Sequence, residues 1–267
     1  MKLLDLMEPE EAVGNLWHDM ASGIGAGVTF PDAGVALVSI RPSLAVLFRA
    51  LGGAPGVELA EVAPGVVQHR QVQRRKLGAA RDREWVARFD GEKLGLPPVM
   101  EVFPTPDLTR AAYFWLTALA ALTDMSDLDL SGIGPAQDCA QIRANAAASY
   151  KVYRACPGLR DSYATLVAFC AQARPELHRP TQEAAMEQAV RDQLCGRTVA
   201  PEIAPENVRG YMPFVPVPIW LRFARPGTGG QPAADAEADP AAPPPNAARS
   251  TRKLGERKDQ DQQSRKD

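Results

Sequence analysis

The chain has 267 residues, enough for one large domain or two small ones with a sizeable buried core. Its 30 basic and 32 acidic side chains give a net charge of -2, which argues against a nucleic-acid-binding protein. Asp5 interrupts the N-terminal apolar run, and no later apolar run reaches the ~20 residues that span a bilayer. We therefore expect a cytoplasmic protein with no membrane insertion of its own.

Helical periodicity dominates the chain and predicts a mainly α fold. After Thr105, a predicted N-cap, Trp115 and Leu119 mark one apolar face while Tyr113 and Leu116 make the other side apolar too. A helix that is apolar nearly all round is buried, so this one is placed at the centre of a helical bundle. The predicted helices span residues 9–22, 42–51, 106–123, 136–155, 159–173 and 181–194.

Helical spacing also predicts which faces point inward on the later helices. On the fourth helix, Tyr150 and Tyr153 are in register with Cys139, which indicates that they face the core. On the last helix, Glu187 and Arg191 stand four residues apart and are predicted to pair on the outer face.

A small β element is predicted around residues 57–103, where short apolar–polar alternations flank the turn dipeptide Asp90-Gly91. Within it lies a basic stretch, 70–83, that includes Arg74 and Arg75. This stretch is interpreted either as a contact site for an acidic partner or phosphate, or as a solvated loop.

Residues 211–220 read YMPFVPVPIW, and their three prolines exclude a regular helix or a central strand. Because Phe214 and Trp220 are strongly apolar, the segment is predicted to lie extended on an apolar surface. That surface is either the bundle of this chain or a groove of a partner, so both residues are candidate partner contacts.

The C-terminal residues differ in composition from the rest of the chain. From 225 to 267 there is no aromatic residue, and Leu254 is the only large aliphatic one. Such a segment buries too little surface to offset the entropy of ordering. We therefore predict a helical domain over residues 1–224 and a disordered, linker-like tail over 225–267.

No motif for catalysis, cofactor binding or metal binding is found. Gly23, Gly25 and Gly27 lack the further glycine of the dinucleotide fingerprint, and the sequence contains neither H-E-x-x-H nor G-x-S-x-G. The acids of residues 124–129 do not fit a calcium loop. The four cysteines form no C-x-x-C pair and are interpreted as reduced, apolar side chains.

Several segments, taken in order, resemble the N-terminal region of the NorD/CbbO family. They are LLDLMEPEEAVGNLWH, VFPTPDLTRAAYFWLTALAA, SYKVYRACPGLRDSYATLVAFCAQARP and YMPFVPVPIW, and the resemblance that they carry extends over about residues 1–223. The resemblance implies a cytoplasmic, non-catalytic adaptor that works with a hexameric MoxR-type AAA+ ATPase (NorQ-like). The pair would activate membrane-bound nitric oxide reductase by allowing insertion of its non-haem iron. The related alternative is a CbbO-like adaptor for Rubisco activation.

The sequence departs from the family pattern at its C-terminus. Family members carry a von Willebrand factor A domain with a D-x-S-x-S cation loop, and this sequence has no such motif. We interpret the chain as a truncated product, a fragment or half of a split protein. A third alternative is an unrelated enzyme whose site is assembled from distant residues, such as His18 with the acids near residue 124.

Overall fold

The computed structural model describes residues 29–66, 83–174, 181–197 and 210–225, all within one unit. The predicted helix at 9–22, the basic stretch up to residue 82 with Arg74 and Arg75, and the predicted tail beyond residue 225 lie outside these residues. In the described ranges the α-helices are α1 (Leu37–Ala50), α2 (Pro106–Ala121), α3 (Pro135–Ala155), α4 (Arg160–Gln172) and α5 (Thr181–Leu194). The prediction of a mainly α fold with a small β element is confirmed.

Helix α2 is the centre of the core, as its sequence predicts. Trp115, Tyr113 and Leu116 are among the largest fully buried side chains, and α1, α3 and α4 all pack against this helix. The Thr105 hydroxyl accepts a hydrogen bond from the Leu108 N–H at 3.3 Å and so caps the helix start.

Helix α1 begins five residues earlier than predicted, at Leu37 instead of Pro42. A proline inside a helix removes one backbone hydrogen bond. The helix tolerates Pro42 because this residue lies near the N-terminal end of the helix and is exposed to solvent. The helix ends where predicted: Gly52 has a φ of +90°. At Gly53 a Cβ atom would meet the Phe48 ring at 2.2 Å, so a side chain at that position would clash with the core.

Within the described ranges the β element consists of short strands, which assemble into one four-stranded sheet and two two-stranded ribbons. The Asp90-Gly91 turn joins an antiparallel pair as predicted, with the Asp90 carboxylate accepting from the Lys93 N–H at 2.7 Å. The strands are β1 (Val35–Ala36), β2 (Glu58–Glu61), β3 (Gly65–Val66), β4 (Arg83–Glu84), β5 (Arg88–Phe89), β6 (Lys93–Leu96), β7 (Val99–Met100) and β8 (Arg222–Phe223).

The four-stranded sheet has the order β2-β6-β5-β8, so its last strand comes from far along the chain. Strand β8 pairs in parallel with β5, and Arg222 lies opposite Arg88. The sheet is therefore completed by the residues that follow the proline-rich segment. We call residues 210–225 the strap.

Candidate partner interface

The strap lies on the bundle of its own chain, the first of the two arrangements that the sequence allows. Trp220 is 4% exposed and Phe214 is partly buried, and their rings meet edge to face with centroids 6.2 Å apart. Val217 and Ile219 are buried in the same core as the helices. Trp220 can therefore reach a partner only if the strap leaves the bundle, while the partner-binding role of both aromatic residues stays a prediction.

The backbone of the strap is held by polar side chains of the helices. Three prolines of the strap have no N–H, and neighbouring N–H groups donate to carboxylates. Phe214 N–H donates to Asp138 at 3.0 Å and Val215 N–H donates to Glu187 at 2.9 Å. We use the name strap anchors for the residues whose side chains hydrogen-bond to the strap backbone. They are Asp138, Gln141, Asn145, Arg174, Glu183 and Glu187.

Gln141 and Asn145 form an unusual pairing between a helix and a strand. Each side-chain amide both donates to and accepts from one strap residue, Asn145 with Leu221 and Gln141 with Phe223, at 2.8–2.9 Å. Four helical residues advance about 6 Å and two strand residues advance about 6.6 Å, so the spacing of the two amides matches the spacing of the two strap residues. Helix α3 thus provides the hydrogen bonds of a neighbouring strand.

The backbone groups on both edges of β8 therefore have hydrogen-bond partners. The N–H groups of Arg222 and Ala224 donate to Ala87 and Phe89 on the sheet side, at 2.8 and 3.0 Å. The backbone N–H groups of Leu221 and Phe223 donate on the opposite edge, to side chains of helix α3. An unpaired strand edge is a template for aggregation, and here the amide side chains cover it.

Arg174 and Glu187 form a buried ion pair beneath the strap. Both side chains are 4% exposed, and the Arg174 Nε donates to Glu187 at 2.9 Å. The same guanidinium donates to the Val215 carbonyl, so the pair binds both the N–H and the C=O of one strap residue. The prediction that Glu187 lies on an outer face is wrong, because its carboxylate is needed inside to satisfy the strap backbone.

Asp138 is the most constrained of the carboxylates. Its Oδ2 accepts from the Tyr211 hydroxyl at 2.7 Å, and its Oδ1 lies 3.5 Å from Arg222. Burial raises the pKa of this carboxyl, although the Tyr211 hydrogen bond and the Arg222 charge act to lower it. Burial and the nearby Asp138 charge also raise the pKa of the Tyr211 hydroxyl. These hydrogen bonds stabilise the fold and occupy the carboxylate oxygens of Asp138, which acid–base catalysis would need free.

Other candidate chemistry is limited in the described part of the chain. Within these ranges, no three His, Cys, Asp or Glu side chains gather where a metal ion would bind. The described cysteines are free thiols, and burial raises the pKa of Cys170 to about 12, far from a reactive thiolate. The three histidines, including His18, lie outside the described residues. None of the described helices has the length and apolar content to cross a bilayer.

The role of the strap anchors is not predicted from the sequence. Asp138, Gln141 and Asn145 recur at three- and four-residue spacing on α3, so they share one face, but polar residues in such a row are normally assigned to solvent. Their role is apparent only in the tertiary structure, where backbone groups of the proline-containing strap form hydrogen bonds with side chains.

The chain is similar to curated proteins of several bacteria. Protein NorD of Brucella suis is 31% identical over 226 residues, which cover 82% of this chain and 35% of that protein. This chain is homologous to NorD proteins. Protein NorD of Stutzerimonas stutzeri is 31% identical over 217 residues, covering 80% of this chain and 32% of that protein. An uncharacterized protein of Pseudomonas aeruginosa is 35% identical over 232 residues, covering 86% of this chain and 35% of its own length.

The chain spans about a third of the length of these curated relatives, consistent with the N-terminal region of NorD. No protein-family model matches it, and no solved structure matches it significantly. The resemblance inferred from the ordered sequence segments is confirmed by the NorD matches.

Proposed function

We propose that this chain is a non-catalytic accessory module of the NorD type, which serves the activation of nitric oxide reductase in denitrification. The observation that carries the proposal is the similarity to NorD proteins along 82% of the chain. The buried carboxylates agree with it, because Asp138 and Glu187 accept hydrogen bonds from the strap backbone and Glu187 pairs with Arg174.

The proposed mechanism is that of a cytoplasmic adaptor. A MoxR-type, NorQ-like AAA+ hexamer would supply work from ATP hydrolysis, and this chain would link it to the membrane-bound reductase during insertion of the non-haem iron. The rigid bundle offers a fixed surface for that link, since its helices and strap share one core. Phe214, Trp220, Arg74 and Arg75 remain proposed partner contacts.

Two measurements test this role. In a denitrifying host that lacks the gene, we expect restored expression to raise nitric oxide reductase activity and the non-haem iron content of the purified reductase together. Immobilised chain should retain the purified ATPase in the presence of ATP. Unchanged iron content of the reductase together with no retention of the ATPase would contradict the proposal.

The strap contacts are tested by Phe214→Ala, with Arg143→Ala on the exposed side of α3 as the control. If Phe214 contributes to a partner surface, retention of the ATPase or reductase falls by more than the change in folded fraction explains. Equal retention by Phe214→Ala and the control at equal folded fraction would remove Phe214 from the interface.

A further inference from the structure

The C-terminal end of α3 exposes aromatic side chains that its helical register predicts to be inside. Tyr150 is 62% exposed and Tyr153 is 47% exposed, although both share a register with the buried Cys139. Near the corner between α3 and α4 the core covers a different face of the helix, the one that carries the fully buried Val152, and it leaves both tyrosine rings to the side. We call Tyr150, Tyr153, Arg154 and Arg160 the tyrosine–arginine corner.

The two tyrosine rings of the corner are held in place by the two arginines. The Arg154 guanidinium lies 5.8 Å from the Tyr150 ring centroid, and its Nη1 donates to the Tyr150 hydroxyl at 3.1 Å. The Arg160 guanidinium lies 4.9 Å from the Tyr153 ring centroid, and its Nε donates to the Tyr153 carbonyl at 2.8 Å. Cation–π contacts and hydrogen bonds therefore orient these rings before any partner arrives.

The corner is also tied to the core. Tyr153 meets Tyr163 at 6.5 Å between centroids, and Tyr163 stacks on the buried Trp115 at 3.7 Å with an interplanar angle of 12°. Because this stack continues into α2, the Tyr153 ring loses little conformational freedom when it binds. Tyrosine and arginine are enriched among the residues that contribute most to protein–protein binding energy, and side chains that are already ordered cost less to bind.

The charges of the corner select the partner. In the ranges that the structure describes, neither Arg154 nor Arg160 has a carboxylate within ion-pair distance, and the single hydrogen bond that each guanidinium makes there leaves further N–H donors for a ligand. Lys151 at the edge adds a third positive charge, which Asp127 partly offsets at 3.8 Å. A guanidinium fork binds a carboxylate through two parallel hydrogen bonds, while the tyrosine rings accept apolar side chains.

We propose that the tyrosine–arginine corner is a docking surface for an acidic segment of a partner protein, in which carboxylates alternate with apolar residues. This deepens the proposed adaptor function and rests on it, because an adaptor needs such a surface. The net charge of the whole chain is -2, so the corner is a local positive site on a slightly acidic molecule.

The first test uses a fluorescein-labelled octapeptide of alternating glutamate and leucine, with the glutamine–leucine twin as the neutral probe. By fluorescence anisotropy with the full chain, we expect the acidic peptide to bind at least tenfold tighter, and more weakly at higher salt. Equal affinity for the two peptides would overturn the proposal. Tighter binding of oligouridylate than of the acidic peptide would also overturn it, in favour of a nucleic-acid surface.

Charge reversal then assigns the binding to the corner. Arg154→Glu with Arg160→Glu should weaken acidic-peptide binding at least tenfold, and Tyr150→Ala with Tyr153→Ala should weaken it by a similar factor. The matched control is Arg41→Glu with Arg49→Glu, which changes the net charge equally at exposed positions of α1. An equal loss in this control would overturn the assignment, and melting temperatures establish that each variant is folded.

The same variants separate this inference from the proposed function. If the purified ATPase or reductase binds the wild-type chain and the α1 control but not the corner variants, the corner is the adaptor surface. If all bind equally, the corner inference fails while the adaptor function stands. If neither protein binds the wild-type chain but the acidic peptide still selects the corner, the proposed function fails and the docking chemistry stands.

Discussion

The two halves of helix α3 use their residues in opposite ways. The N-terminal half buries polar side chains, with Asp138, Gln141 and Asn145 each 1% exposed. The C-terminal half exposes large aromatic ones, Tyr150 and Tyr153. Burial without a partner is costly for a polar group, so the first half is explained by what it binds inside the chain. The tyrosines of the second half contact the corner arginines and Tyr163 but leave about half of their surface exposed, which agrees with the external partner proposed above.

The largest expected effect lies on the strap that the N-terminal half holds. Trp220→Ala should lower the free energy of unfolding by about 3–5 kcal/mol, because it removes a buried aromatic side chain and leaves a cavity. Urea denaturation of the purified chain measures the change. A loss of partner binding with an unchanged melting temperature would instead place Trp220 in an external interface.

The next effect tests the amide side chains directly. Asn145→Ala should lower the free energy of unfolding by about 2–4 kcal/mol, because the Leu221 N–H and C=O would remain buried without partners. Arg143→Ala, exposed on the same helix, is the control and should change stability by less than about 0.5 kcal/mol. Similar urea midpoints for both variants would show that the strap does not depend on α3.

A smaller effect concerns pH. Burial raises the pKa of Asp138 above the ordinary value of 3.8, so the folded state binds its proton more tightly than the unfolded state does. Its contribution to stability is therefore full below that ordinary value and is lost as pH rises through the raised pKa. The stability of the wild-type chain relative to Asp138→Asn should fall from about pH 4 upward. Urea midpoints that rise relative to the variant over this range would contradict the assignment.

The smallest stability effect is expected at the tyrosine–arginine corner. Tyr150→Ala and Arg154→Ala should each change the free energy of unfolding by less than about 0.5 kcal/mol, since both side chains are exposed and their mutual contact is a surface one. Thermal and urea unfolding measure this. A loss comparable to that of Asn145→Ala would mean that the corner supports the fold, and the contrast between the two halves of α3 would disappear.

Local patterns in the sequence predicted the helices well because each depends on near neighbours. Helix α5 has the predicted bounds, and α2 has the predicted N-cap at Thr105 and the predicted buried faces. The Asp90-Gly91 turn is equally local, since one carboxylate satisfies the amides next to it. By contrast, helical register predicted Tyr150 and Tyr153 to face inward, because the register does not show which face of this half the core covers.

The helical segments, the turn and the need of a proline-rich segment for an apolar surface follow from the sequence, because they depend on local spacing and on backbone groups that proline lacks. Which surface receives that segment depends on the packing of the whole fold. Residues some 76 to 82 positions apart meet there, Asn145 with Leu221 and Gln141 with Phe223. Contacts at that separation depend on how whole elements pack, so no local pattern could reveal which polar residues would be buried as anchors and which aromatic residues would stay exposed.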